Sequence, residues 1–297
     1  MKVRNWAISD YVIAFLDISG QKDKILSIDR LRSEQEEQKR VDDSVEDTAG
    51  YVVRLRRSFS GYFEKVERPS TVLDKLTPEQ RTRALKLRRF DAEVRGVADS
   101  IIITIPLDYE EDYHIVMNSI YAALYGICGM FLAALAENKP FRGGVDIGWG
   151  VRLPNAEKEV YGSALVKAYS LESNVAYYPR VVIGDTLWNY INKIETISAD
   201  DLKHKLAKEM ASQCREFITV DYDYLHILDV IGKGFKSIEG GLDSDFIERG
   251  YRYVVDTYKD RTRAGDVKLS SRYACLRRYL ESRLHIWGIQ PLLTESK

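Results

Sequence analysis

Tyr11-Val-Ile-Ala-Phe-Leu-Asp-Ile-Ser-Gly20 is the stretch whose reading decides the fold. It is apolar through Leu16, then ends in a carboxylate, Asp17, and a Ser19-Gly20 turn. A short apolar run of this kind reads as a buried strand, and a carboxylate at its end is costly unless something pairs with it. A second placement of the same type occurs in Gly96-Val-Ala-Asp-Ser-Ile-Ile-Ile-Thr104. Residues 94–97 and 100–106 read as the arms of a tight hairpin with Ala98-Asp99 at its tip. Two strand ends, each carrying one aspartate, can hold two divalent cations between them and so grip a nucleoside triphosphate. Asp17 and Asp99 are therefore the leading site candidates. Each also has a plainer role open to it, as a turn-capping or turn residue.

Working outward, residues 29–67 are heavily charged, with Val45, Tyr51, Val52, Leu55, Phe59, Tyr62 and Phe63 at helical spacing. Thr77-Pro78-Glu79 reads as the start of another charged helix, with a basic cluster at 83–89. Residues 28–90 are expected to form a solvated helical insertion after the first strand. Residues 115–136 carry no charge and are nearly long enough to cross a bilayer. Asn118, Ser119, Tyr121 and Tyr125 interrupt that stretch, and Gly126 and Gly129 suggest close packing, so a helix buried behind a sheet is expected. Arg142-Gly-Gly-Val-Asp-Ile-Gly-Trp-Gly150 is a Gly-rich strand, 153–159 a polar turn, and Val160-Tyr-Gly162 opens a helix through about Ser173. Strands are expected at 180–183 and 217–228, and helices at 185–194, 202–216, 246–259 and 270–285.

The order predicts an α/β (α+β) sandwich with a ferredoxin-like mixed sheet and flanking helices. No repeat or low-complexity linker divides the chain, so one domain is expected over 1–297, with 185–297 as a C-terminal elaboration. With 45% hydrophobic and 30% charged residues and a net charge of −1, the composition is that of a soluble globular protein. Nothing in it favours a nucleic acid or an anionic membrane as partner, so positive charge for a phosphate ligand must be local. Cys128, Cys214 and Cys275 are far apart, which speaks against a disulfide framework or zinc site and fits a reducing cytoplasm. Lys2 and Arg4 precede an apolar stretch broken by Ser9, Asp10 and Asp17, a poor signal peptide. His114, His204, His226 and His285 lack metal-ligand spacing.

Four segments, in order over residues 11–173, resemble the marks of class III nucleotide cyclases. They are Phe15-Leu-Asp-Ile-Ser-Gly20, the hairpin tip Ala98-Asp99, the strand Arg142-Gly-Gly-Val-Asp-Ile-Gly148, and Tyr161-Gly-Ser-Ala-Leu-Val-Lys-Ala-Tyr-Ser-Leu-Glu172. The last of these, with Pro179-Arg-Val-Val-Ile183, looks most like the pyrimidine (uridylate or cytidylate) cyclases of bacterial Pycsar anti-phage systems. The resemblance implies a cytoplasmic class III cyclase fold and Mg2+ or Mn2+ held by Asp17, Asp99 and the Ile18 carbonyl. It also implies a two-fold homodimer with composite sites and a cyclic pyrimidine nucleotide made as a second messenger for a separate effector.

Some positions depart from the family. The helix positions where adenylyl cyclases carry Asn and Arg are here Val166 and Ser170, so those roles do not carry over. Lys167 and Tyr169 lie beside them and are candidate replacements in substrate binding. The position of the adenine-reading lysine corresponds to Arg95, and its acidic partner loosely to Glu159. Arg95 is donor-only, which suits O4 of uracil better than N4 of cytosine, so UTP is expected over CTP. A plainer role for Arg95 is an ion pair with Glu93. Two other classes compete: a cyclase-like module that binds nucleotides without turnover, and a diguanylate-type cyclase or polymerase palm. The Gly-Gly-(Asp/Glu)-Glu-Phe mark of the diguanylate type is absent.

Overall fold

The computed structural model describes residues 8–18, 35–65, 77–79, 82, 92–97, 99–107, 113–152, 160–238 and 244–292. Strand β1 (Ile8–Ile18) lies inside an eight-stranded sheet. Val12, Ala14, Leu16 and Ile18 enter the main core, while Tyr11, Ile13 and Phe15 face a smaller one on the other side. Burial on both faces is why the run is continuously apolar and does not alternate with polar residues.

β1 pairs antiparallel with β3 (Ser100–Pro106) on one side and with β4 (Phe141–Arg152) on the other. β2 (Glu93–Val97) pairs outside β3. The order β2-β3-β1-β4, antiparallel throughout, is the ferredoxin-like arrangement expected from the sequence. β5 (Val160–Tyr161) pairs with the far end of β4. β6 (Val181–Ile183) joins β4 in parallel, which makes the sheet mixed. β8 (His226–Leu228) and β7 (Ile218–Val220) complete it. The sequence suggests one strand over 217–228; the structure breaks it into this hairpin. The Asp221 N–H donates to the Leu225 carbonyl at 2.9 Å, and Tyr224 sits at φ +65°. Asp221 and Asp223 are turn formers inside an otherwise strand-like pattern.

Between β1 and β2 lie α1 (Gln35–Val45), a wider helical turn at Glu46–Gly50, and α2 (Tyr51–Lys65). The sequence predicts a solvated arm here. The structure corrects this for α2, whose Tyr51, Val52, Leu55 and Phe59 are buried. They pack on α3 (Tyr113–Ala136), the uncharged helix. A Cβ on Gly126 would meet Phe59 at 2.7 Å and one on Gly129 would meet Tyr62 at 2.6 Å, so these glycines set the approach of the two helices. Residues 78–79 are helical as expected, and the basic cluster at 83–89 is outside the described residues.

α3 is long and apolar enough to cross a membrane, and this fold buries it against α2, α6 (Leu202–Glu216), α8 (Ser244–Arg263) and the sheet. A helix apolar on all sides has to be buried on all sides. The opposite face of the sheet is covered by α4 (Ser163–Ser170), which continues through a wider turn at Leu171–Val175. α5 (Asp185–Thr196) packs on α6 and β4, α7 (Lys233–Ile238) packs on α6, and α9 (Val267–Arg283) packs on α8.

A buried ion network fastens the β7–β8 turn to the sheet. Arg180 donates to Asp221, to Asp223 at 3.0 and 2.6 Å, and to the Val175 carbonyl at 3.0 Å. The Tyr178 hydroxyl donates to Asp221 at 2.6 Å.

Candidate active site

The pairing register brings the two aspartates to one end of the sheet. Asp17 stands opposite Ser100 on β3 and opposite Arg142 on β4. Asp99 precedes Ser100 directly, and the Ile18 N–H donates to the Asp99 carbonyl at 3.2 Å. Arg142 Nη2 lies 3.4 Å from Asp17 Oδ2 and 2.6 Å from Glu172 Oε1, and its other nitrogen reaches the Ala176 carbonyl at 3.5 Å. Glu172 is buried, only 3% exposed, in the turn that extends α4. Arg142 and Glu172 are visible in the sequence as the ends of two motifs, without a role. The structure makes them a bridge between the strand end and α4.

Burial raises the Asp17 carboxyl above the ordinary aspartate range, and the charge of Asp99 raises it further; Arg142 opposes this without cancelling it. Glu172 is raised too, by burial first and then by Asp17 and Asp99, against the pull of Arg142. Asp17 and Glu172 thus share the Arg142 guanidinium, with the charge of Asp99 bearing on both. That local surplus of negative charge is what a divalent cation relieves. Among the described residues no group of three or more His, Cys, Asp or Glu forms a metal site by itself. Cations here would need the Ile18 carbonyl and ligand oxygens as well, in keeping with how Mg2+ is usually bound. On these observations the residues present fit Mg2+ or Mn2+.

The Gly-rich strand explains how α4 comes so close. A Cβ on Gly144 would lie 2.4 Å from the Ala168 carbonyl oxygen and from the Leu171 Cβ, and one on Gly148 would lie 2.7 Å from the Ala164 nitrogen. Without side chains at these two positions, α4 rests on the β4 backbone and carries Glu172 down to Arg142.

The other candidates are placed unequally. Arg95 stands opposite Ile102, which stands opposite Phe15, so Arg95 shares the sheet face of Asp17. Its Nη2 is 3.9 Å from Glu93, and Glu93 also lies 3.4 Å from Arg152. Both Arg95 Nη2 and Glu93 Oε2 are buried without a hydrogen-bond partner. The Tyr169 ring meets Phe15 edge-on at 5.3 Å and is 53% exposed, so it borders Asp17 and stays accessible.

Lys167 is not brought there. Its Nζ donates to the Ile147 carbonyl and to the Thr186 hydroxyl, each at 3.0 Å. Ile147 is five residues along β4 from Arg142, roughly 17 Å at about 3.3 Å per residue. Within one chain Lys167 is therefore remote from Asp17. Val166 is exposed, and the Ser170 hydroxyl accepts from the Asn174 amide at 3.2 Å. Glu159 lies outside the described residues.

No protein-family model and no curated protein sequence matches the chain. Among solved structures it is similar to the adenylyl cyclase CyaB from P. aeruginosa, at 15% identity and a TM-score of 0.36, over 64% of this chain and 84% of that one. It is similar to a class III adenylyl cyclase-like ATP-binding protein from Pseudomonas aeruginosa, at 15% identity and 0.39, over 70% of this chain and 43% of that one. A bacterial light-regulated adenylyl cyclase is similar at 11% identity and 0.35, over 82% of this chain and 99% of that one. The chain thus spans less than half of the second structure. Similarity at this level carries no functional weight; the weight falls on the residues themselves.

Proposed function

We propose that this chain is a nucleotide cyclase that converts UTP to cyclic UMP and diphosphate. The observation that carries the reading is the pairing of Asp17 with Asp99 at adjacent strand ends, where burial and then the charge of Asp99 raise Asp17. The motif resemblance supports the choice of reaction, the pyrimidine substrate and a role in anti-phage defence through a separate effector.

The reaction is intramolecular: a bond forms between O3′ of the ribose and the α-phosphorus, and the bond from that phosphorus to the bridging oxygen of the diphosphate breaks. The hydroxyl proton leaves to solvent and the electron pair leaves with diphosphate. Such transfers depend on in-line placement and charge neutralisation more than on covalent help from the protein. Asp17, Asp99 and the Ile18 carbonyl are the groups that would hold Mg2+ or Mn2+, whose contribution when bound is to acidify the hydroxyl and neutralise phosphate charge. Arg142 holds Asp17 in place and ties it to Glu172. Arg95, on the same face and with an unspent donor, is assigned to the O4 edge of uracil.

Lys167 is assigned to substrate only through the partner of a two-fold dimer, because its own chain keeps it far from Asp17. The test is incubation of purified protein with each of the four ribonucleoside triphosphates and Mn2+, with products identified by mass spectrometry. Cyclic UMP as the main product supports the reading; a dominant cyclic CMP or purine product overturns the base assignment.

A second reading is favoured by one observation. Val166 and Ser170 replace polar groups, and Lys167 is tied to its own backbone, which leaves fewer residues for turnover. A nucleotide-binding module of this kind would bind a triphosphate and form no cyclic product with any of the four.

A further inference from the structure

A cleft of about 720 Å3 opens between α8, α9 and the loop that leads into β4. Lys139 and Arg142 line it from the sheet side, Arg261 and Arg272 from the C-terminal helices, with the carboxylates Glu137 and Asp260 beside them. Arg142 is already engaged by Asp17 and Glu172, and the Lys139 Nζ donates to the Asp47 carbonyl at 2.9 Å, so Arg261 and Arg272 are the cations left to a ligand. Asp260 lies 3.6 Å from Arg263, on the exposed side of α8.

Arg272 is the informative residue. Its guanidinium sits over the Tyr177 ring at 5.5 Å, and its Nε is buried with no hydrogen-bond partner. A buried guanidinium donor left unspent is expensive unless a ligand completes it. Arg261 reaches Asp266 only at 4.0 Å and remains half exposed, so most of its donors are also free. Tyr253 and Tyr273, whose hydroxyls are 2.9 Å apart, add neutral hydrogen-bonding groups to the wall. Arg142 places one end of the cleft beside Asp17. Planar, always-charged forks in a cavity of this size suit phosphate oxygens, which they bind two at a time.

We propose that this cleft binds the diphosphate group of a phosphorylated ligand, held by Arg272 and Arg261. The diphosphate is either the tail of the nucleotide engaged at Asp17, reaching across Arg142, or part of a separate phosphorylated regulator. Only the first of these rests on the cyclase reading.

The test is calorimetric titration of inorganic diphosphate into the full chain, without divalent metal. Wild type should bind. Arg272→Gln should weaken binding at least tenfold, and Arg252→Gln, an exposed arginine of α8 outside the cleft, should leave it unchanged. Arg261→Gln, at an exposed side chain, should weaken it severalfold and guards against a folding defect in the Arg272 variant. No binding to wild type, or binding indifferent to the Arg272 and Arg261 changes, overturns the proposal. An equal loss in Arg252→Gln would mark non-specific attraction to surface charge and also overturns it. If the chain makes a cyclic nucleotide, a raised KM for the triphosphate in Arg272→Gln, with diphosphate inhibition weakened, identifies the substrate tail, and an unchanged KM identifies a regulator. If it makes none, the calorimetric result stands by itself, and only the cyclase reading is lost.

Discussion

Gly144→Ala gives the most direct check on how α4 is seated. The added Cβ would lie 2.4 Å from the Ala168 carbonyl oxygen, 2.4 Å from the Leu171 Cβ and 3.0 Å from the Glu172 nitrogen. Two of these three are backbone atoms, which no side-chain rotation can move. The shortest contacts fall about 1 Å short of ordinary van der Waals distance, so α4 must lift from β4 by about that much. Forcing one methyl into a packed site of this kind costs about 1–3 kcal/mol. For a chain of this size that is a fall in Tm of about 2–9 °C. Because Glu172 rides on the displaced segment, its 2.6 Å contact with Arg142 should loosen and turnover should fall as well. The internal control is Gly61→Ala on α2, where nothing lies within 4 Å of the new Cβ. Alanine in a helix interior is favoured over glycine by about 0.5–1 kcal/mol, so that variant should melt slightly higher. Both are read by differential scanning calorimetry beside an activity assay. A Gly144→Ala protein that melts with wild type would show that α4 does not rest on β4 as described.

Three further outcomes are expected. Asp17→Asn should abolish cyclic nucleotide formation yet melt no lower than wild type, since burial and the charge of Asp99 already disfavour the ionised carboxylate; retained turnover would refute the two-aspartate assignment. Arg95→Ala should lower kcat/KM for UTP by about ten- to a hundredfold, from a lost charged hydrogen bond worth about 1.5–3 kcal/mol, and lower CTP less; equal falls would move Arg95 to the phosphates. Arg180→Met should cost about 3–5 kcal/mol by stranding Asp221 and Asp223, and an unchanged urea midpoint would contradict the network.

The same network also carries a sign for acid. Burial alone would raise Asp223, but its bonds to Arg180 outweigh that and hold it below the ordinary value of 3.8. A carboxyl lowered on folding contributes stability above 3.8, which is lost as pH falls through the lower folded value. Wild type should therefore lose stability between those two values, and Arg180→Met should lose less there.

What is legible in the sequence follows from local chemistry. A run apolar on both faces marks β1, the Asp99 tip marks the hairpin, and the glycines of β4 mark a strand that something approaches closely. What is not legible depends on partners far apart in the chain. Nothing near residue 142 announces that its guanidinium will meet residue 172. α2 looks solvated because its charged residues outnumber the stripe of Tyr51, Val52, Leu55 and Phe59 that α3 covers. The strand expected over 217–228 fails at Asp221 and Asp223, whose turn preference wins over alternation. Lys167 lies beside motif positions in sequence, but its long side chain finds acceptors on β4 and α5 instead.

The burial of α3 has a consequence for how the chain is made. Synthesis completes this helix at Ala136, whereas α8, one of the helices that cover it, ends at Arg263. At roughly 5–20 residues per second, an uncharged apolar helix waits about 6–25 s for its last partner. α2 precedes it and α6 follows by Glu216, but until α8 arrives the face that α8 covers stays open to chaperones and translocation machinery. A slow stretch of translation between α3 and α8 should lower the yield of folded protein, even though the finished fold hides the helix from that machinery.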